Sequence, residues 1–160
     1  MKLIKALTSD IPTISSLAYR IWKQVYPDII SQEQIDYMLQ LMYSNESLSE
    51  QMGAKAHLFY LIELESECVG FVSVSNESPN NWHLNKFYID QKVARKGLGT
   101  EVLADLLRLL QAKQMTLTVN RQNYKAINFY FKNGFRIERV ADFNIGNGYV
   151  MNDFVMMLEI

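Results

Sequence analysis

The sequence predicts an α/β (α+β) fold. A central mixed sheet, mostly antiparallel, carries helices on both faces in the order β-α-α-β-β-β-α-β-α-β-β. Three observations lead there. Two strand-rich runs, 57–64 (HLFYLIEL) and 68–75 (CVGFVSVS), are joined by only Glu65–Glu67, which implies a hairpin. A strand at 82–89, a helical stripe at 98–112 and a strand at 115–119 have the length of a parallel crossover unit. The early segment places Ile14, Leu17, Ala18, Ile21 and Trp22 at helical spacing.

Taken in order, residues 2–7 form a short strand. Ser9 or Asp10 caps the first helix, with Pro12 in its first turn. Pro27 breaks that helix. Ser31 and Gln34 resemble a capping box, and Ile35, Met38, Leu39 and Met42 form one face of a second helix. After the hairpin, the turn 76–81 leads to the strand 82–89. The loop 90–99 precedes a helix whose Leu98, Val102, Leu103, Leu106, Leu107 and Leu110 form an amphipathic stripe. A strand at 115–119 and a short helix at 123–132 follow. Asn133-Gly134 ends that helix, because glycine tolerates the left-handed backbone there. Residues 135–143 and 149–158 form a last hairpin around NIGNG.

Composition narrows the class. The 160 residues suit one domain, 1–160, and 49% hydrophobic with 21% charged residues is ordinary for a soluble globular protein. A formal net charge of −1 gives no electrostatic reason to expect nucleic-acid binding. No run approaches the ~20 apolar residues of a membrane span, and the N-terminal MKLIKALTSD lacks the apolar stretch of a signal peptide. The expected location is cytoplasmic. The single cysteine, Cys68, reads as a small core residue, and no metal cluster is indicated.

Arg95-Lys96-Gly97-Leu98-Gly99-Thr100 lies between a strand and a helix N-terminus. Unsatisfied N–H groups and the positive end of the helix dipole collect there, and glycine lets a phosphate approach the backbone. Arg95 and Lys96 add charge, and Thr100 can donate a hydrogen bond. Val102 stands where a dinucleotide fingerprint needs glycine, and Gly99-Thr100 lacks the lysine of a Walker A loop. A tight turn without ligand is the plain alternative for these residues alone.

The run KFYIDQKVARKGLGTEVL resembles the acetyl-CoA-binding motif of the GNAT superfamily of N-acetyltransferases, a strand and loop followed by R/Q-x-x-G-x-G/A opening a long helix. Asn123-x-x-Ala126-Ile127-x-Phe129-Tyr130, then Gly134-Phe135, resembles that family's next helix. The order and separation of the motifs fit, so the resemblance spans essentially the whole chain. One departure is Ala94, where the family carries Arg or Gln; that contact to the pyrophosphate is missing.

The resemblance implies acetyl-CoA as cosubstrate. Its pantetheine arm would pair with the backbone of Phe87, Tyr88 and Ile89 like an added strand. Its pyrophosphate would lie across Arg95, Lys96, Gly97, Leu98, Gly99 and Thr100, with Asn123 against the arm and Lys132 toward the nucleotide. Tyr130 occupies the tyrosine position that assists the leaving sulfur. His83 is the local candidate for the base, because an alkyl ammonium with pKa near ~10.4 must lose a proton before it attacks. Asn85 should share the face of His83. Each also has a plain reading: packing for Tyr130, a strand-end histidine for His83, an exposed helical lysine for Lys132.

The expected acceptor is a primary amine of a small molecule or a peptide. The early helices carry Trp22, Tyr26, Asp28, Glu33, Asp36, Tyr37 and Tyr43, which suit a cationic amine or an ordinary helical surface equally. The segment 21–44 faintly resembles bacterial spermine/spermidine N-acetyltransferases, a hint about acceptor size. The rival reading is a non-catalytic acyl-CoA-binding module. A tRNA-directed acetyltransferase is disfavoured by the absent basic excess. The reading allows a homodimer.

Overall fold

A computed structural model describes residues Met1–Ile160. Seven strands form one sheet in the order β1-β2-β3-β4-β5-β7-β6. They are β1 (Lys2–Lys5), β2 (Leu58–Leu64), β3 (Glu67–Ser78), β4 (Asn81–Ile89), β5 (Gln114–Asn120), β6 (Arg136–Gly146) and β7 (Tyr149–Glu159). Only β4 and β5 pair in parallel; every other pair is antiparallel. The helices are α1 (Ile11–Val25), α2 (Gln32–Tyr43), α3 (Asn45–Met52), α4 (Leu98–Leu109) and α5 (Tyr124–Lys132).

The helices divide between the two faces as expected. One core gathers Ile14, Ile21, Trp22, Leu39 and Leu48 from α1–α3 over Phe59 and Phe71 of the sheet. The other gathers Leu98, Leu103 and Leu106 of α4 and Ile127 and Tyr130 of α5 over Val72, Leu84, Leu117 and Met156. Alternation along each strand sends successive side chains to opposite cores.

Several local expectations are refined. A third helix, α3, joins the first two. Ser44 ends α2 and caps α3, accepting a hydrogen bond from the Ser47 amide at 3.2 Å. Ser31 caps α2 by accepting from the Gln34 amide, but the Gln34 side chain reaches the Val150 carbonyl instead of returning to Ser31, so the box is half formed. The final hairpin tightens to Asn147-Gly148, both with positive φ (54° and 77°), as a twist-matched two-residue turn requires.

Two features of β4 position the site. Its register with β3 slips between Ser73/Lys86 and Val74/Leu84, so Asn85 is an extra residue, a β-bulge. The bulge resets the alternation: Lys86 and Tyr88 face the α1–α3 side, whereas Phe87 and Ile89 join the α4–α5 core. In addition, β4 pairs with β5 only from Asn81 to Leu84, against Gln114–Leu117. Beyond Leu84 the two strands separate, and the β5-facing backbone edge of 85–89 has no strand partner.

Candidate active site

The gap between β4 and β5 connects two hollows. The larger, about 470 Å³, runs from Arg95 and Gly99 at the α4 N-terminus along Ile89 and Phe87 to Phe129 and Tyr130 of α5. The smaller, about 140 Å³, lies on the α1–α2 side and is lined by Trp22, Tyr26, Lys86, Thr118 and Asp153 among others. Phe87, Tyr88, Asn123, Ala126 and Tyr130 line both. A molecule in the groove and one in the cavity would meet at these five residues.

At the α4 end, Gly97 is the helix N-cap with φ 84°, a left-handed conformation costly for other residues. A Cβ built there meets no atom within 4 Å, so the space in front of the first helical amides is open. Gly99 has a different role. A Cβ there would stand 2.9 Å from the Phe129 ring, so this glycine lets α4 approach α5. Arg95 lines the groove but is held by Glu101 at 2.5 Å. Leu98 is buried in the core, while Lys96 and Thr100 are exposed beside the helix start. Ala94 lines the groove and offers no charge.

The loop itself is anchored by Asp90. Its carboxylate accepts from Arg20 Nε at 2.8 Å, Gln24 Nε2 at 3.0 Å and the Lys92 amide at 3.0 Å. Burial alone raises the Asp90 pKa, but these three donors outweigh it and the net shift is downward. The anchor ties the start of the loop to α1.

Asn123 is buried and caps α5, its Oδ1 accepting from the Ala126 amide at 3.2 Å. Tyr130 is buried with its ring edge-on to Phe129 and Phe135. Burial, then the neighbouring Tyr26 phenol, pushes its pKa up, so it stays a neutral donor. Tyr26 and Tyr88 share a hydroxyl–hydroxyl hydrogen bond of 3.1 Å, and burial raises both. Lys132 is exposed and lies outside the groove lining; Lys125, one position after the α5 start, lines it and is held by Gln91.

His83 sits on the paired part of β4, before the strands separate. Its Nδ1 is 2.7 Å from Thr116 Oγ1 and 4.0 Å from Glu77. It lines an adjoining pocket that shares Thr118 and Met151 with the smaller cavity. Burial lowers its pKa, and Glu77 partly restores it. The structure therefore brings Tyr130 and the Phe87–Ile89 edge together and leaves His83 one pocket away. Asn85, on its expected face, lines the cavity and hydrogen-bonds Ser75.

Two buried charged groups in the cavity are absent from the motif reading. Asp153 of β7 is 4% exposed. Burial raises its pKa to about 6, against the pull of the Thr118 hydroxyl and Arg121. Lys86 is 9% exposed, and burial, then Lys55, lowers its pKa to about 8. Cys68 has its thiol pKa raised by burial and lines neither hollow, so it is no candidate nucleophile.

With this geometry in hand, similarity to known proteins is informative. The family profile described as "Acetyltransferase (GNAT) domain" matches residues 27–151. A spermidine N(1)-acetyltransferase of Thermoplasma acidophilum is 28% identical over 141 residues, 84% of this chain and 87% of that protein. A peptidyl-lysine N-acetyltransferase of Salmonella typhimurium is 32% identical over 92 residues, 58% and 59% of the two chains. Among solved structures, the PaiA N-acetyltransferase of Thermoplasma acidophilum in complex with coenzyme A superposes with a TM-score of 0.81 at 25% identity, covering 99% of this chain and 98% of that one.

Proposed function

The chain belongs to the GNAT acetyltransferase family, and on that premise we propose that it moves an acetyl group from acetyl-CoA to a primary amine at the β4–β5 gap. The acceptor is a small molecule of polyamine-like size or a peptide, and a cytoplasmic location belongs to the same reading. The observation that carries it is the meeting of groove and cavity at Phe87, Tyr88, Asn123, Ala126 and Tyr130.

The residues present fit the cosubstrate. Open space in front of Gly97 and the amides of the α4 N-terminus suit a pyrophosphate. Arg95 and Lys125 line the same groove and supply positive charge in the absence of one at Ala94. The unpaired edge of β4 offers backbone hydrogen bonds to the amide-bearing pantetheine arm. When bound, acetyl-CoA supplies an activated acyl group as a thioester.

The remaining chemistry falls to side chains. The amine attacks as its neutral form, forming the amide C–N bond as the C–S bond breaks. Asp153 takes the amine's proton: it lines the cavity, and its raised pKa makes it a better base than an ordinary carboxylate. Tyr130 donates a hydrogen bond to the departing sulfur. Its elevated pKa favours stabilising the thiolate over full proton transfer, so the thiol takes its proton from the amine by way of Asp153 or solvent. A second reading keeps His83 as the base, through water across Thr116 and Thr118, because its pocket joins the cavity at Thr118 and Met151. The test is acetyl-CoA-dependent thiol release across polyamines and lysine peptides, with mass spectrometry of the product. A turnover-linked mass gain of one acetyl group on an amine is expected. Tight CoA binding with no turnover on any amine identifies the non-catalytic module instead.

A further inference from the structure

The two buried charges of the acceptor cavity lie on different strands, Lys86 on β4 and Asp153 on β7, with β5 between them. They do not neutralise each other, and neither is placed by the cofactor groove. Lys86 is the more demanding of the two. The Asn85 bulge turns it inward, under α2, where its Nζ lies 5.3 Å from the Tyr43 ring centroid and 6.0 Å from that of Phe59. Aromatic faces attract an ammonium but carry no net charge. No carboxylate forms an ion pair with Lys86, and burial and the like charge of Lys55 disfavour its charged form. A buried cation without an anion is costly, so its place in a cavity points to a partner that arrives from solution. A second unpaired donor stands beside it. The indole N–H of Trp22 is buried with no acceptor in full hydrogen-bond geometry, although it lies close enough to the Tyr43 hydroxyl to lower that phenol's pKa against burial, and Trp22 packs edge-on against the same Tyr43 ring, 5.7 Å between centroids. Both residues line the cavity. The cavity thus combines the donors Lys86 and Trp22 with the carboxylate of Asp153 on a different strand.

Resting on the acetyl-transfer reading above, we infer that the acceptor is a small molecule carrying an oxyanion as well as its primary amine, with the oxyanion held at Lys86 and the amine at Asp153 beside Tyr130. A linear polyamine would place a second ammonium against Lys86. That juxtaposition costs rather than gains energy, and so discriminates against bare diamines and triamines. A carboxylate and a phosphate-type group share this oxyanion chemistry.

Matched acceptors of equal chain length separate these cases. The intact enzyme is assayed by thiol release with α,ω-diamines, ω-amino carboxylates and ω-aminoalkyl phosphonates over several spacer lengths. At the best length, an oxyanion-bearing amine should exceed the matched diamine in kcat/KM by roughly 10-fold or more, the scale of one charge-assisted hydrogen bond. The preferred anion identifies carboxylate or phosphate. In Lys86→Met, which keeps the length of the side chain without its charge, this ratio should collapse through a higher KM for the anionic acceptor. Retained CoA affinity by calorimetry certifies the folded variant. Should that variant not fold, simple alkanoates and alkylamines are titrated against wild type, and the alkanoate should bind more tightly. Diamines that equal or surpass the matched anionic acceptors overturn the inference while acetyl transfer stands. Absence of turnover on every amine overturns both.

Discussion

Replacing Tyr130 by phenylalanine separates chemistry from packing. The ring stacks edge-on at 5.2 Å from Phe129 and 5.3 Å from Phe135, and phenylalanine keeps both contacts. Only the hydroxyl is lost. Burial and the Tyr26 phenol act on it, with no hydrogen bond among the influences that set its pKa. The hydroxyl is not among the buried unpartnered polar atoms and reaches the open site, so its loss should leave stability within about 0.5 kcal/mol. For a chain of this size that is a Tm change of at most about 1–2 °C. If the hydroxyl stabilises the leaving sulfur, kcat should fall by about 10²-fold, or about 2.7 kcal/mol in the barrier. Activity therefore falls while stability stays. The assay pairs initial-rate thiol release at saturating acetyl-CoA with a thermal melt and a CoA titration. Turnover within about 3-fold of wild type, or a loss of Tm of several degrees, would show that Tyr130 is a packing residue and that the reasoning is wrong.

Other expectations follow from the same site. In Gly97→Ala the new Cβ clashes with nothing, so the folded protein bears only a left-handed backbone penalty of about 1–2 kcal/mol, while CoA affinity drops at least ~10-fold; unchanged affinity places the phosphates elsewhere. Gly99→Ala meets Phe129 at 2.9 Å and should lower Tm before it alters binding. The acidic limb of kcat/KM should lie near pH 6, set by Asp153; it should vanish in Asp153→Asn and persist in His83→Ala, and the reverse pattern assigns the base to His83, whose pKa burial lowers. Asp153 titrates near 6 when folded and near 3.8 when unfolded, so the folded state binds more protons between those values. Its contribution is fullest below pH 3.8 and is lost as pH rises through 6, and Asp153→Asn should gain on wild type over that window by on the order of 3 kcal/mol, read from paired melts. Asp90→Ala removes the acceptor for Arg20, Gln24 and Lys92, and should cost about 2–4 kcal/mol and weaken CoA binding by loosening the loop before α4; an unaltered melt would deny the anchor its role.

Element order was legible because it rests on local signals. Periodicity marks α1, α2 and α4, short polar links mark the hairpins, and Asn133-Gly134 marks the end of α5. The helix α3 carries no periodic stripe, because NESLSEQM buries only Leu48 and Gln51; the double use of Ser44 as a cap is its available signal. The glycine loop was legible because backbone geometry demands particular residues there. The interior of the cavity was not. Strict alternation along β4 would put Lys86 and Tyr88 on the face opposite His83, and the single extra residue at Asn85 reverses that. Asp153 lies in an unremarkable alternating strand, and only the sheet order places β7 beside β5 near the gap. His83 stands near the motif in sequence, yet its position on the paired segment of β4 sets it below the gap, which no local pattern encodes.

The most direct measurement is a crystal structure of the protein with coenzyme A. The pyrophosphate should lie against the amides at Gly97–Gly99, the pantetheine arm along the open edge of β4 at 85–89, and the sulfur within hydrogen-bond reach of the Tyr130 hydroxyl, facing the cavity of Lys86 and Asp153. An arm lying outside the β4–β5 gap, or a sulfur pointing away from Tyr130 and that cavity, would contradict it.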